Sequence, residues 1–300
     1  MKNNKFILYL FVVVVGVIVI DVIFRFVFTP FFDNPPLNTK ASSTYKFVAH
    51  KTPADLVILG ASRAQHHYIS EQMEKSLGVT VYNYGSDGRC TLYQYLCLIN
   101  AIENGSLKVA ILDLSSAQLS REWVDDRISD LYPYYWKNDT VKQMVDEVEK
   151  KNMSWLMLSA MVQFNSQYLN LVAPMKSNKG YLPLPYTGLP LDKAKLKMSE
   201  EKMKDDYYSD IASRYFSKIV SLCRDKNVHL IVCLSPSLSF SKSGEDYMQE
   251  LCSNEGVVCW NYTRFIQDPI LFSDYNHLND KGARMFTKDL ICRLKALSLY

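Results

Sequence analysis

The sequence lacks an excess of charge of either sign, since 34 Lys and Arg stand against 31 Asp and Glu, for a formal net charge of +3 over 300 residues. A phosphate-binding face would show as a basic excess or a clustered stripe, and the cations here are scattered, so nothing points to nucleic acid as a partner. Also missing is any Cys-x-x-Cys pair. The seven cysteines, at 90, 97, 223, 233, 252, 259 and 292, are odd in number, and His229 alone lies near Cys223 and Cys233. No metal site is indicated, and buried free thiols are the expectation. No small-residue cleavage pattern follows the apolar start, and no cysteine precedes Cys90 to take a lipid. Apolar content is not lacking: at 48% hydrophobic the chain can bury the core of one large α/β domain, which excludes a disordered protein.

Residues 6–20 are an unbroken apolar run behind Lys2 and Lys5, and apolar character resumes over 22–32, with Asp21 and Arg25 as the only charges. This exceeds the roughly 20 residues a membrane-spanning helix needs. Residues 1–33 are therefore read as an uncleaved membrane anchor, with a cleaved signal and a buried core helix as the competing readings. Lys2 and Lys5 weighed against Arg25 and Lys40 favour a single-pass protein whose C-terminal domain is extracytoplasmic, periplasmic or at the cell surface. Residues 34–53, with Asn-Pro-Pro and a Ser-Ser-Thr cluster, read as a linker.

Short apolar runs at 56–59, 79–82, 109–114, 228–234 and 257–260 have the length and continuity of buried parallel strands, and polar-apolar helical stretches separate several of them. The pattern predicts a doubly wound α/β domain over 54–300, in which ligands sit beyond the carboxyl ends of the strands. More than a hundred residues separate the third and fourth runs, so an insertion is expected over about 121–205. Within it, 139–151 reads as an exposed helix, 155–171 as a more apolar one and 180–190 as a Pro-Gly loop. Its aromatics, Tyr132, Tyr134, Tyr135 and Trp136 among them, either pack the insertion or form a substrate wall over the strand ends.

Two places carry chemistry. Gly60-Ala61-Ser62-Arg63 puts a serine directly after a strand and a glycine, where the chain must turn into a helix; Ser62 is a nucleophile candidate or a helix N-cap. Near the other end, Asp274 and His277 follow the last strand, three residues apart, a spacing that lets a carboxylate orient an imidazole. His66 and His67 are sequence neighbours and do not share a helix face, which argues against a metal pair. His50 and His229 have no catalytic context.

Together, Gly60-Ala-Ser62-Arg and Asp274-x-x-His277-Leu-Asn resemble the first and last blocks of the SGNH (GDSL-like) hydrolase family. The resemblance covers roughly 54–295 apart from the insertion. It implies a flavodoxin-like three-layer α/β/α sandwich with a parallel five-stranded sheet, no cofactor, and a triad of Ser62, His277 and Asp274. The segment Asn83-Tyr-Gly-Ser-Asp-Gly88 resembles the second block, which implies an oxyanion hole from the backbone N–H groups of Ser62 and Gly88, with Gly85 as the fallback. The third block departs: Gly-x-Asn-Asp is replaced by Asp113-Leu-Ser-Ser-Ala-Gln, and Ala117 occupies the asparagine position. A donor of that kind is worth about a hundred- to a thousandfold in rate. Ser115, Ser116 and Gln118 are candidate replacements, and Arg63 a candidate substrate ligand. The architecture also resembles membrane-linked relatives that acylate envelope polymers. The expected function is an esterase or O-acyltransferase acting on acylated glycans or other acyl esters; the alternative is a non-catalytic glycan-binding module that assists a separate membrane acyltransferase.

Overall fold

The computed structural model describes residues 2–49, 53–174, 180–185, 207–239 and 241–297. His50 and the expected loop beyond residue 185 lie outside them, as does the end of the expected insertion. The chain divides into two compact units, one of Lys46–Arg127 with Lys176–Tyr300 and one of Met1–Tyr45 with Ile128–Met175.

The larger unit is built on five strands, β1 (Leu56–Leu59), β2 (Val81–Asn83), β3 (Val109–Asp113), β4 (His229–Leu234) and β5 (Val258–Asn261). All pair in parallel in the order β2-β1-β3-β4-β5, with Leu56 opposite both Val81 and Val109, Val109 opposite His229, and Ile231 opposite Val258. This is the flavodoxin-like order, which reverses direction between β1 and β3. Strand β2 starts later than the apolar run suggests: Thr80, just before it, is tied to the start of β1, its N–H donating to Asp55 Oδ2 at 3.0 Å and its carbonyl accepting from the N–H groups of Asp55 and Leu56.

Side chains alternate across the sheet, so each strand feeds two cores. Leu56, Ile58, Val109, Ile111, Ile231 and Trp260 face a layer that includes Ala64, Tyr68 and Met73, together with Ala283, Phe286, Leu290 and Leu294. Apart from Tyr68, which directly follows α3, those residues belong to α3 (Ser62–His67), α4 (Ser70–Leu77) and α12 (Asp280–Ala296). Helices α5 (Thr91–Glu103) and α10 (Asp210–Asp225) pack on each other and on the sheet, completing three layers. The remaining helices of this unit are α6 (Arg121–Arg127) and α11 (Lys242–Asn254). Asn279 starts α12 by accepting from the N–H groups of Lys281 and Gly282, both at 3.1 Å.

The smaller unit contains α1 (Lys2–Asp33), α7 (Asp139–Val148), α8 (Ser154–Met157) and α9 (Ala160–Phe164). Within α1, Lys5–Asp33 is long and apolar enough to cross a membrane by length and composition. Phe24, Phe28 and Phe32 recur every fourth residue, hence on one face. They meet Tyr168, Phe164 and Tyr134, and the Phe32 and Phe164 rings stack at 5.1 Å. The apolar helix expected over 155–171 is instead broken into α8, α9 and a 3-10 segment, Asn165–Leu171. Ser159 caps the start of α9, and Asn165, at a positive φ of 39°, ends it. Residues 40–49, read from sequence as linker, form α2 (Lys40–Ala49).

Candidate active site

Gly60 closes β1 at a point where no other residue fits. At φ +149°, a Cβ there would stand 2.7 Å from Ala64 Cβ and 2.8 Å from the Asp113 carbonyl oxygen. The close approach lets the chain turn straight into α3, so Ser62 becomes its first residue, at the carboxyl end of the sheet. The cap position falls to Ala61, which makes no side-chain cap. Ser62 therefore does not serve as an N-cap: its hydroxyl donates to His277 Nε2 at 2.7 Å.

His277 approaches from the loop between β5 and α12. Its Nδ1–H donates to the Asp274 carboxylate, 2.8 Å from Oδ2 and 2.9 Å from Oδ1, while Asp274 Oδ1 also accepts from the backbone N–H groups of Asn276 and His277. Burial raises the Asp274 carboxyl, but these hydrogen bonds outweigh it and hold the group below its ordinary value. The carboxylate thus stays ionised and fixes the His277 tautomer, leaving Nε2 as an acceptor for the serine proton.

A second imidazole braces this loop from below. His67 is fully buried, and its Nε2 accepts from the N–H of Leu278, the residue after His277, at 3.0 Å. The remaining proton sits on Nδ1 and reaches Ser235 Oγ at 3.1 Å. Burial, reinforced by the positive charge of Arg63, lowers the His67 pKa well below its usual value, so the ring is neutral. The other histidine of the pair, His66, turns away to the Leu182 carbonyl and the Asp87 carboxylate. Among the described residues, no group of three or more His, Cys, Asp or Glu is placed to hold a metal ion. All seven cysteines are free thiols.

Ser62 and His277 open on a cavity of about 230 Å³. Five further hydroxyls line it, from Ser115, Ser116, Ser239, Ser241 and Thr263, beside the Trp123 indole and the apolar Leu234 and Met248. Its two charged lining residues are engaged elsewhere. Arg63, expected as a substrate ligand, is spent on the fold: its guanidinium donates to the carbonyls of Leu114 (2.9 Å) and Ser235 (3.2 Å) and faces the buried Asp113 at 3.6 Å. Burial raises the Asp113 carboxyl, while the Arg63 charge and the Tyr68 hydroxyl, 2.7 Å away, work against that shift. The other, Glu245, binds Asn261 and Arg264.

The structure distributes the remaining expected residues unevenly. Ser115, Ser116, Ala117 and Gln118 all line the cavity, but the Gln118 side-chain amide donates to the Asp113 carbonyl at 3.0 Å. Gly88 is not among the lining residues; the Arg127 guanidinium lies 3.3 Å from where its Cβ would be. The fallback, Gly85, has its N–H committed to Asn83 Oδ1 at 2.7 Å and packs hard on α3, where a Cβ would meet Gln65 N at 2.3 Å. Asn83 itself is a brace, its amide donating to the carbonyls of Ala64 and Tyr68. The insertion aromatics Tyr134 and Trp136 make packing contacts. Tyr134 and Trp136 belong to the smaller unit, where Tyr134 packs on Phe32 and Trp136 donates to the Met157 carbonyl at 3.0 Å.

Trp123 and Asn276 were not legible as site residues. Trp123 lies on α6, in a stretch whose sequence looks like an ordinary exposed helix. Asn276 stands inside Asp274-x-x-His277 and lines the cavity; its Oδ1 accepts from Ser237 Oγ at 3.1 Å, leaving the amide nitrogen as the donor of that side chain. The only available signal was adjacency to His277.

No protein-family model matches the chain, and no curated protein does. Solved structures do. An acylhydrolase from Bacteroides fragilis NCTC 9343 is similar over 82% of this chain and 88% of its own, at 10% identity and a TM-score of 0.42. A GDSL-like lipase from Bacteroides thetaiotaomicron VPI-5482 covers 81% of this chain and 88% of its own, at 9% identity and a TM-score of 0.39. A gut microbial diltiazem-metabolizing enzyme matches 80% of this chain at 12% identity and a TM-score of 0.34, and this chain spans 46% of its length.

Proposed function

We propose that the larger unit is a serine-dependent acyl-ester hydrolase or O-acyltransferase of the SGNH type, acting on acylated glycans. The observation that carries this reading is the unbroken chain from Ser62 through His277 to Asp274, at 2.7 and 2.8 Å, opening on a cavity. In the proposed cycle His277 Nε2 takes the Ser62 proton as Oγ attacks the acyl carbonyl, and the protonated ring then returns that proton to the departing alkoxide. Water or a second sugar hydroxyl, deprotonated by the same ring, resolves the acyl-enzyme.

The oxyanion needs donors other than the one lost at Ala117. The N–H of Ser62, in the first turn of α3, has no intrahelical partner, and the amide nitrogen of Asn276 supplies a second donor beside His277. The substrate class follows from the wall: paired charges, five hydroxyls and one indole suit a neutral, hydroxyl-rich molecule whose ring stacks on Trp123. Helix α1 would anchor the chain in a membrane, with Lys2 and Lys5 on the cytoplasmic side and the catalytic unit outside.

Mass spectrometry of the purified protein after exposure to an activated acyl ester or a fluorophosphonate tests this. A single adduct on Ser62, absent in Ser62→Ala, is expected. No adduct on the folded protein would favour the second reading, a glycan-binding module without catalysis, which the methyl group of Ala117 in place of an amide makes worth testing.

A further inference from the structure

Two observations in the smaller unit belong together. Asp21 and Arg25 interrupt the apolar face of α1, and both are satisfied by one distant segment. Asp21 accepts from Ser159 Oγ at 2.6 Å and from the N–H groups of Ala160 and Met161 at 2.9 and 3.0 Å. Arg25 donates to Gln163 Oε1 at 3.0 Å and to the Leu158 carbonyl at 2.7 Å. That segment is itself apolar and uncharged: no Asp, Glu, Lys or Arg occurs between Lys151 and Lys176. One side of it is buried, through Met157, Ala160, Phe164 and Leu171, while the other leaves Trp155 83% and Val172 79% exposed, with Leu158, Met161 and Leu169 also open.

Depth decides what covers the open side. Asp21 and Arg25 lie about 22 and 28 Å along the helix axis from Phe6 at 1.5 Å per residue, within a hydrocarbon layer about 30 Å thick that starts near Phe6. Ionisable side chains at that depth need partners, and here the partners are Ser159, Gln163 and the backbone of 158–161. Those atoms must therefore sit at the same depth as the charges they satisfy. An uncharged segment with an indole at its edge is the composition that such a level selects.

We propose that residues 154–172 are an interfacial membrane element, embedded in the leaflet at the C-terminal end of α1, with Trp155, Leu158, Met161, Leu169 and Val172 among lipid acyl chains. The inference rests on the reading of α1 as a span. The chain is then held by two elements, one crossing the bilayer and one lying in it, joined through Asp21 and Arg25.

The test uses the full chain in phosphatidylcholine vesicles whose acyl chains carry bromine near either the headgroup or the tail. Tryptophan emission should be quenched, more strongly by headgroup-proximal bromine, and Trp155→Phe should lose the larger part of that quenching. Val172→Trp in the Trp155→Phe background should restore it. Quenching unchanged in Trp155→Phe, or none gained with Val172→Trp, overturns the proposal. Alkaline carbonate extraction of the same vesicles separates the two failures: a chain that stays in the pellet without these quenching changes refutes the embedded segment alone. Release into the supernatant refutes the span and this inference with it.

Discussion

Ser62 is a single hydroxyl with two possible employments, and its surroundings decide between them. A helix cap would bond the backbone of α3, yet the hydroxyl points to His277, and the cap position belongs to Ala61. Replacing Ser62 or His277 with alanine should each lower acyl-ester turnover by at least roughly a thousandfold, with the double variant scarcely worse, because the pair acts as a unit. Melting temperature, measured on the same samples, should barely move; a fall in stability without a specific loss of turnover would return Ser62 to the capping role. Asn276→Ala should cost kcat about a hundred- to a thousandfold while KM changes little, as expected of a donor used mainly in the transition state. Steady-state kinetics on a chromogenic acetate check this, and an unchanged kcat would assign the oxyanion to other groups.

At the scale of elements, the strands and the turn at Gly60 were legible because a parallel sheet buried on both faces writes itself as continuous apolar runs. The meeting of residues 62, 274 and 277 was anticipated by their places after the first and last strands. Less legible was anything that depends on pairing across long intervals of chain. Asp21 and Arg25 read as defects in an apolar helix, since nothing local indicates that their partners lie more than 130 residues away. Residues 155–171 likewise read as one helix, although the structure caps α9 at Ser159, whose hydroxyl also bonds Asp21 of α1, and ends it at Asn165. Asp21→Ala should therefore destabilise the protein in detergent by about 0.5–2 kcal/mol, the usual value of a lost helix-start acceptor. Deleting residues 1–33 should expose Phe164 and Tyr134 and bring aggregation, whereas deleting 1–18 keeps Asp21, Arg25 and the Phe24–Phe32 face. Thermal unfolding by circular dichroism distinguishes the two truncations, and equal behaviour would show that α1 contributes nothing to the fold of this unit.

Over the whole molecule, stability should depend on pH in a direction that the site itself fixes. His67 is neutral in the folded protein because burial and the Arg63 charge lower its pKa well below 6.5, while in the unfolded chain it titrates near 6.5. Below that pH the unfolded state binds a proton that the folded state refuses, so the stability present above pH 6.5 is lost as pH falls, at about 1.4 kcal/mol per pH unit. Asp274 acts in the same direction but later. Its folded pKa lies below 3.8, so its contribution is intact above that value and disappears only in strong acid. The window from pH 6.5 down to about 4 should thus report on His67 alone among these two groups. Urea denaturation at steps across that window should show the midpoint falling with pH in the wild type. In His67→Gln, whose amide keeps a hydrogen-bonding side chain without titrating, that slope should flatten. Equal slopes in the two proteins would mean that the ring accepts a proton without strain, and that its bonds to Leu278 and Ser235 do not require the neutral form.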